Sequence, residues 1–296
     1  MSDSILPEPL KVLQYRYPQL GEIVRFGYEL SMGLREIQPN LDLTGLKLTP
    51  EMAKIKLKEG FPLLEAPEIH IPPDQFERVF KKVSLLVAEK RESLSPKISE
   101  ILDKVKNQKT DIHQLAQSNL KQDLEKDRKT HIKEKDSQSL LNFLIKASLK
   151  PFGHAYGSAL NTYLPSDNHH WLQSYCPICG SKPSLAYIEG EEGQRHLLCS
   201  WCDTTWIFPR IKCPFCQNED QKSLNYFSIE DEKEKKGKDN ISVCKKCKRY
   251  IKTLDKRKWE ETEGTDLQID DLATFYLDLL AEREGYERIT SHFLSF

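Results

Sequence analysis

Cys176-Pro177-Ile178-Cys179-Gly180 is followed by the β-prone run Leu185-Ala186-Tyr187-Ile188 and the turn Glu189-Gly190-Glu191-Glu192-Gly193. The return run His196-Leu197-Leu198, the pair Cys199-Ser200-Trp201-Cys202 and a further run from Thr204 to Phe208 complete the unit. The same order then recurs. Cys213-Pro214-Phe215-Cys216 precedes Leu224 to Ile229, a charged turn from Glu230 to Asp239, Ile241-Ser242-Val243, Cys244-Lys245-Lys246-Cys247 and Tyr250 to Leu254. Each unit reads as knuckle, hairpin, knuckle, strand. A C-x-x-C turn sets two sulfurs on one side of a tight loop, and a hairpin brings a second such turn opposite, so that four thiolates close a tetrahedral cage. The pattern predicts two cages: Cys176, Cys179, Cys199 and Cys202, then Cys213, Cys216, Cys244 and Cys247. The hairpin inside each unit favours these consecutive pairs over a cross-braced arrangement.

These are all the cysteines of the chain. A disulfide framework belongs to small secreted chains, whereas this one has 296 residues and opens with no basic, apolar export signal. A thioredoxin-like redox motif needs one C-x-x-C at the start of a helix, not four among turns and β runs. Metal is what remains, as two tetrathiolate ions per chain, iron or zinc. Four thiolates around a divalent ion carry a formal charge of −2, and Trp171 to Trp259 answers with 17 Lys and Arg against 12 Asp and Glu. With every coordination position filled by protein, the expectation is a structural or electron-holding centre rather than a hydrolytic one. Trp201, Trp206, Phe208, Phe215, Tyr226 and Phe227 then read as packing around the cages.

The rest of the chain looks different. Residues 1–165 read as an all-α domain: Ile23, Phe26, Gly27 and Leu30 share one helical face, as do Phe76, Val79, Phe80, Val83 and Val87, with Asp74 as the expected N-cap. A short helix is predicted over Pro50 to Lys58 and another around Ile98, Ile101, Leu102 and Val105. Lys104 to Asp136 is highly charged, with sparse apolar positions at Ile112, Leu115, Leu120 and Leu124, and reads as a solvated helix face or mobile stretch. Pro151 should break or kink the helix that follows. His113, His131 and His154 are isolated and read as surface or packed side chains.

The expected organisation is thus multidomain α plus small β: helices over 1–165, metal modules over 171–210 and 211–259, and a C-terminal helix over 266–287. Leu272, Phe275, Tyr276 and Leu279 should form the buried face of that helix. No run approaches the length of a membrane span, so membrane insertion is not expected and the cytoplasm is. Net charge is −1. Cys244 to Lys258 carries eight Lys and Arg against one Asp, as a nucleic-acid-binding zinc ribbon would. Glu260 to Phe296 carries ten acidic residues against two Arg, so strand and tail can neutralise each other, and nucleic acid is disfavoured as a partner.

The chain resembles the formate dehydrogenase accessory protein family, FdhE. The resemblance rests on Cys176-Pro177-x-Cys179-Gly180-Ser181-x-Pro183, on the three further C-x-x-C pairs, and on Asp270-Asp271-Leu272-Ala273, Leu277-Asp278 and Glu284-Gly285-Tyr286. N-terminally it rests on Arg25-Phe26 and Gly60-Phe61-Pro62-Leu63-Leu64. It implies a helical domain followed by tandem rubredoxin-like modules, with iron suggested at the eight cysteines. It further implies a non-enzymatic, cytoplasmic maturation factor whose partner is the catalytic subunit of a respiratory formate dehydrogenase before export. An iron-dependent redox helper acting on that client's active site is the alternative, and the oligomeric state is left open.

Overall fold

A computed structural model of the chain describes residues 6–7, 10–11, 14–15, 18–41, 43, 45–125, 136–165, 171–227, 239–258 and 266–290. His131, the side chain of Leu124 and most of the charged turn after Phe227 lie outside them. The N-terminal part is helical: α1 Gly21–Arg35, α2 Pro50–Lys58, α3 Pro73–Lys90, α4 Ser95–Lys106, α5 Ile112–Glu125 and α6 Asp136–Leu160. The predicted stripes face inward, with Phe26 and Leu30 of α1 and Phe76, Val79, Phe80, Val83 and Val87 of α3 buried. At α2 the Thr49 hydroxyl accepts the Met52 amide and Pro50 takes the first turn, a strong start signal.

Three local expectations are corrected. Helix α3 starts two residues earlier: Pro72 is its cap and Asp74 lies in the first turn, paired with Arg78 at 2.7 Å. Two prolines preset the backbone there without a side-chain cap. The charged stretch contains a packed helix, since Ile112, Ala116 and Leu120 are buried at intervals of four. Pro151 does not end α6. Burial of Phe143, Leu144, Ile145, Ala147, Leu149 and Phe152 on either side holds the helix through the proline, and the Ser148 hydroxyl donates to the Leu144 carbonyl at 2.6 Å.

The C-terminal part is built on strands β1 Pro183–Glu189, β2 Gln194–Cys199, β3 Thr205–Ile207, β4 Leu224–Phe227, β5 Asp239–Cys244 and β6 Arg249–Asp255. Each repeat supplies three antiparallel strands, and the halves merge into one six-stranded sheet of order β3-β2-β1-β6-β5-β4. The seam is the parallel pair β1–β6, with Ala186 opposite Thr253 and Ile188 opposite Asp255. Register aligns Ala186, Leu197 and Trp206 in one row, and all three join the core of the helical part together with Cys176, Trp201 and Phe208. One core therefore runs across the stretch between residues 165 and 171.

The acidic tail forms two helices, α7 Leu267–Ala273 and α8 Phe275–Arg283, where one was expected. The Thr274 hydroxyl donates to the Asp270 carbonyl at 2.8 Å at the break. The break resets the helical phase, so Leu277, Asp278 and Ala281 are buried and Leu279 is 49% exposed. Leu277 and Ala281 pack on Ile241, Val243 and Tyr250 of the second repeat. No helix among the described residues is long and apolar enough to cross a membrane.

Candidate metal centres

The structure gathers the eight sulfurs into two groups, Cys176, Cys179, Cys199, Cys202 and Cys213, Cys216, Cys244, Cys247, each with its four sulfurs within 4.8 Å of one another. In the first, Cys176–Cys202, Cys179–Cys199 and Cys179–Cys202 sulfurs lie 3.5 Å apart. In the second, Cys213–Cys247 and Cys216–Cys244 are separated by 3.8 and 3.7 Å. A tetrahedron with metal–sulfur bonds of about 2.3 Å has sulfur–sulfur edges of about 3.8 Å. Each group could thus hold a metal ion, and the all-sulfur donor set suits zinc or iron.

The same backbone device builds every knuckle. The residue after each second cysteine is left-handed: Gly180, Asp203, Gln217 and Lys248 have φ of 72, 59, 58 and 57°. In three of them its N–H donates back to the carbonyl of the first cysteine, from Gly180 to Cys176, Gln217 to Cys213 and Lys248 to Cys244. That reversal turns amides toward sulfur: Ile178 N–H lies 3.4 Å from the Cys176 sulfur, and the Trp201 and Cys202 amides lie 3.4 Å from that of Cys199. Three non-glycine residues in this conformation cost roughly 1 kcal/mol or more each, so the turns need a reason to persist.

Thiol energetics point the same way. Burial pushes Cys176 and Cys202 well up. Cys199 resists the same burial and is held well below the usual thiol range by hydrogen bonds from the other three sulfurs and the Cys202 amide. In the second group the Cys247 thiol, opposed by burial and helped by the Cys216 and Phe215 amides, brings Cys213 down to about 5. Cys247 is pushed up by its hydrogen bond to Cys213 and by burial, and Cys216 is raised by burial. Cys199 and Cys213 are thus favoured as thiolates. Four ionised sulfurs this close repel one another unless a cation sits among them.

The first group is locked onto the helices. Leu63 and Leu64 N–H donate to the Pro177 and Ile178 carbonyls at 2.8 Å, and the Tyr175 hydroxyl donates to the Gly60 carbonyl at 2.7 Å, so Gly60–Leu64 clasps the first knuckle. Helix α6 clasps the second. Lys150 Nζ donates to the Ser200 and Trp201 carbonyls at 2.8 and 3.2 Å and to Asp203 at 2.7 Å, and Trp201 Nε1 donates to the Leu149 carbonyl at 3.0 Å. Gly153 and Gly157 let the backbone in: a Cβ there would lie 2.4 Å from the Trp201 and Cys202 carbonyl oxygens. Asp203 also meets His154 and Gln268, whose Oε1 accepts from Ser31 of α1. Burial raises the Asp203 carboxyl, but Lys150 and His154 outweigh it and keep its pKa below the ordinary value. Sequence reading does not single out Lys150, Gly153, Gly157 or Asp203 at this contact, and His154, read there as an isolated surface or packed side chain, pairs with Asp203. Two glycines four apart in an apolar helix were the signal for a close backbone approach.

The second group is held by an ion network. Lys252, fully buried, lies 2.6 Å from Asp271 and 2.7 Å from Asp278. Arg288 reaches the same two carboxylates at 2.7 and 3.0 Å and the Ser184 carbonyl at 3.1 Å, and the Tyr250 hydroxyl donates to Asp278 at 2.8 Å. The acidic tail thus neutralises part of the basic strand internally. Cys216 and Cys247 are half-buried, whereas all four cysteines of the first group are buried.

Similarity to known proteins runs through the same regions. Residues 175–210 match the family model described as FdhE, central domain, and residues 211–294 that described as FdhE, C-terminal domain. The chain is 28% identical over 292 residues to the Protein FdhE homolog of Aquifex aeolicus, covering 97% of this chain and 93% of that protein. It is 37% identical over 118 residues to Protein FdhE of Escherichia coli O127:H6, an alignment spanning 39% of this chain and 36% of that one. The crystal structure of the FdhE protein from Pseudomonas aeruginosa shares the fold, with a TM-score of 0.65, 21% identity and coverage of 97% and 93% of the two chains. The sheet and both cysteine groups fall within the two matched family models, and the helical part falls within the matches to the Aquifex protein and the Pseudomonas structure, so the chain is similar to FdhE proteins along nearly its whole length.

Proposed function

We propose that this protein is an accessory factor for the maturation of formate dehydrogenase, acting in the cytoplasm by binding the enzyme's catalytic subunit before export. In this reading the eight cysteines ligate two structural metal ions and the chain performs no catalysis of its own. The observation that carries it is the closure of the cages: four protein sulfurs surround each position and leave no place for substrate or water. Helices over 1–165 serve as the platform, modules over 171–210 and 211–259 as the metal-set binding face, and the helices within 266–287 as the brace of the second module. Rigid surfaces lose little entropy on association, and metal supplies that rigidity.

One observation favours a second reading, an iron-dependent redox helper: the second cage has two half-buried sulfurs, within reach of a docked client. A nucleic-acid partner is opposed by the burial of Lys252 among carboxylates and by Arg257 paired with Asp255 at 2.8 Å. The experiment offers zinc-loaded and iron-loaded protein to the same immature catalytic subunit, and follows complex formation and formate dehydrogenase activity. Equal rescue by both metals supports the binding factor. Rescue by iron alone overturns it in favour of the redox helper, and rescue by a cysteine-free variant overturns both.

A further inference from the structure

Beside the second cage, a cavity of about 280 Å³ opens on the sheet face opposite α7 and α8. Its floor is set by register: Tyr226 pairs with Ser242 and Ser242 with Ile251, while Cys244 pairs with Arg249, placing these side chains in adjoining rows. Arg195, Arg210, Lys212 and Arg249 line it, and among the described residues its lining contains no carboxylate. Arg195 is 4% exposed, spends Nη2 on the Pro209 and Lys212 carbonyls at 2.6 Å, and has a buried Nε without a hydrogen-bond partner. Tyr226 and Ile211, 74% and 55% exposed, put apolar surface on the rim.

The nearby thiolates account for part of this charge, since Arg195 and Cys213 attract each other. They do not account for Arg210 at the exposed edge. Lys212 meets Glu219 at 2.9 Å, but Glu219 is largely exposed, and such surface pairs yield readily to a better partner. Strand β4 ends the sheet, so one of its edges has no neighbouring strand among the described residues. Cations over a short terminal strand with apolar surface beside them suit an extended chain bearing alternate carboxylates, which adds backbone hydrogen bonds to charge pairing.

We propose that this cleft receives an extended acidic peptide segment of a partner protein, with Arg210 and Lys212 as its carboxylate anchors, Arg195 beneath them and Tyr226 packing on its apolar residues. The proposal rests on the reading that the protein works by binding, and it names a contact surface for that binding. The probe is a fluorescein-labelled ten-residue peptide alternating Glu and Val, titrated into full-length protein carrying two zinc ions per chain. A Lys and Val counterpart serves as control and inorganic phosphate as competitor. Saturable binding that weakens with salt, at least tenfold loss in the R210S/K212S variant with both metals retained, and no binding of the Lys peptide are expected. Equal binding by the variant or by the Lys peptide overturns the proposal. Displacement by millimolar phosphate makes the cleft a small-anion site and also overturns it, as does loss of the second zinc in the variant, which assigns the cations to charge balance. If the variant loses the peptide but still holds the catalytic subunit, the cleft is not the contact and the accessory reading stands. If wild-type protein takes the peptide but never the catalytic subunit, the accessory reading fails and the cleft stands.

Discussion

Replacing Gly157 by alanine sets two effects of opposite sign against each other inside α6. Alanine is the better helix former by about 1 kcal/mol, so helix propensity alone predicts a more stable protein. Its Cβ, however, would sit 2.4 Å from the Cys202 carbonyl oxygen, whereas ordinary contact begins at 3.4 Å, so helix and knuckle must separate by about 1 Å. The carbonyl cannot swing aside cheaply because its neighbours are fixed by Lys150, which reaches Ser200, Trp201 and Asp203. Overpacking costs about 1 to 3 kcal/mol, and weakening one charged hydrogen bond adds about 1 kcal/mol or more. The net is about 2 kcal/mol of destabilisation, or a fall in Tm of roughly 4 to 8 °C. Thermal melts of the zinc-loaded protein test this, with G45A as control because a Cβ at Gly45 meets nothing within 4 Å. Chelator should also strip the first metal faster in G157A while the second leaves at its usual rate. A G157A protein that melts at or above wild type with unchanged metal release would refute the close-approach argument.

Metal analysis should give two ions per chain, with C176S losing one and C213S losing one, and helical circular dichroism largely retained in both; loss of both ions in either variant would contradict the grouping of sulfurs. Protons compete with metal for thiolate, so loading should weaken as pH falls, with the second cage failing as the pH drops through about 5, where Cys213 becomes protonated, and that half-buried cage should also empty first in a chelator titration. The K252M variant leaves Asp271 and Asp278 to share Arg288 in a buried site, and a loss of about 3 to 5 kcal/mol in urea unfolding is expected; a parent-like midpoint would show the network to be dispensable.

Sequence carried much of this architecture where chemistry is local. Four thiolates about a metal dictate the C-x-x-C spacing, and the turns, hairpins and strands follow from it. The apolar stripes of α1 and α3 were equally plain, because burial of Phe26 or Phe80 repeats with the helical period. What escaped was non-local. Nothing near Ala186 announces Thr253 as its neighbour, so the two modules read as separate units although one sheet holds both. The polar and charged residues around Ile112, Ala116 and Leu120 of α5 mask their spacing. His154 and Asp203 are each unremarkable until folding brings them together across 49 positions of chain.

The parallel seam between β1 and β6 also sets a schedule. Antiparallel hairpins close as soon as they are made, and the first cage has all its sulfurs once Cys202 has been synthesised. The inner edge of β1, by contrast, stays unpaired until Thr253 to Asp255 arrive, about 67 residues later. A nascent chain therefore passes through a stage in which one finished module presents the open edge of a buried strand, Leu185 to Ile188, with nothing of its own to cover it. Early filling of the first cage does not remove that exposure. Only completion of the second module does, so scarcity of metal at that late step would leave a half-built sheet prone to pair with another copy of itself.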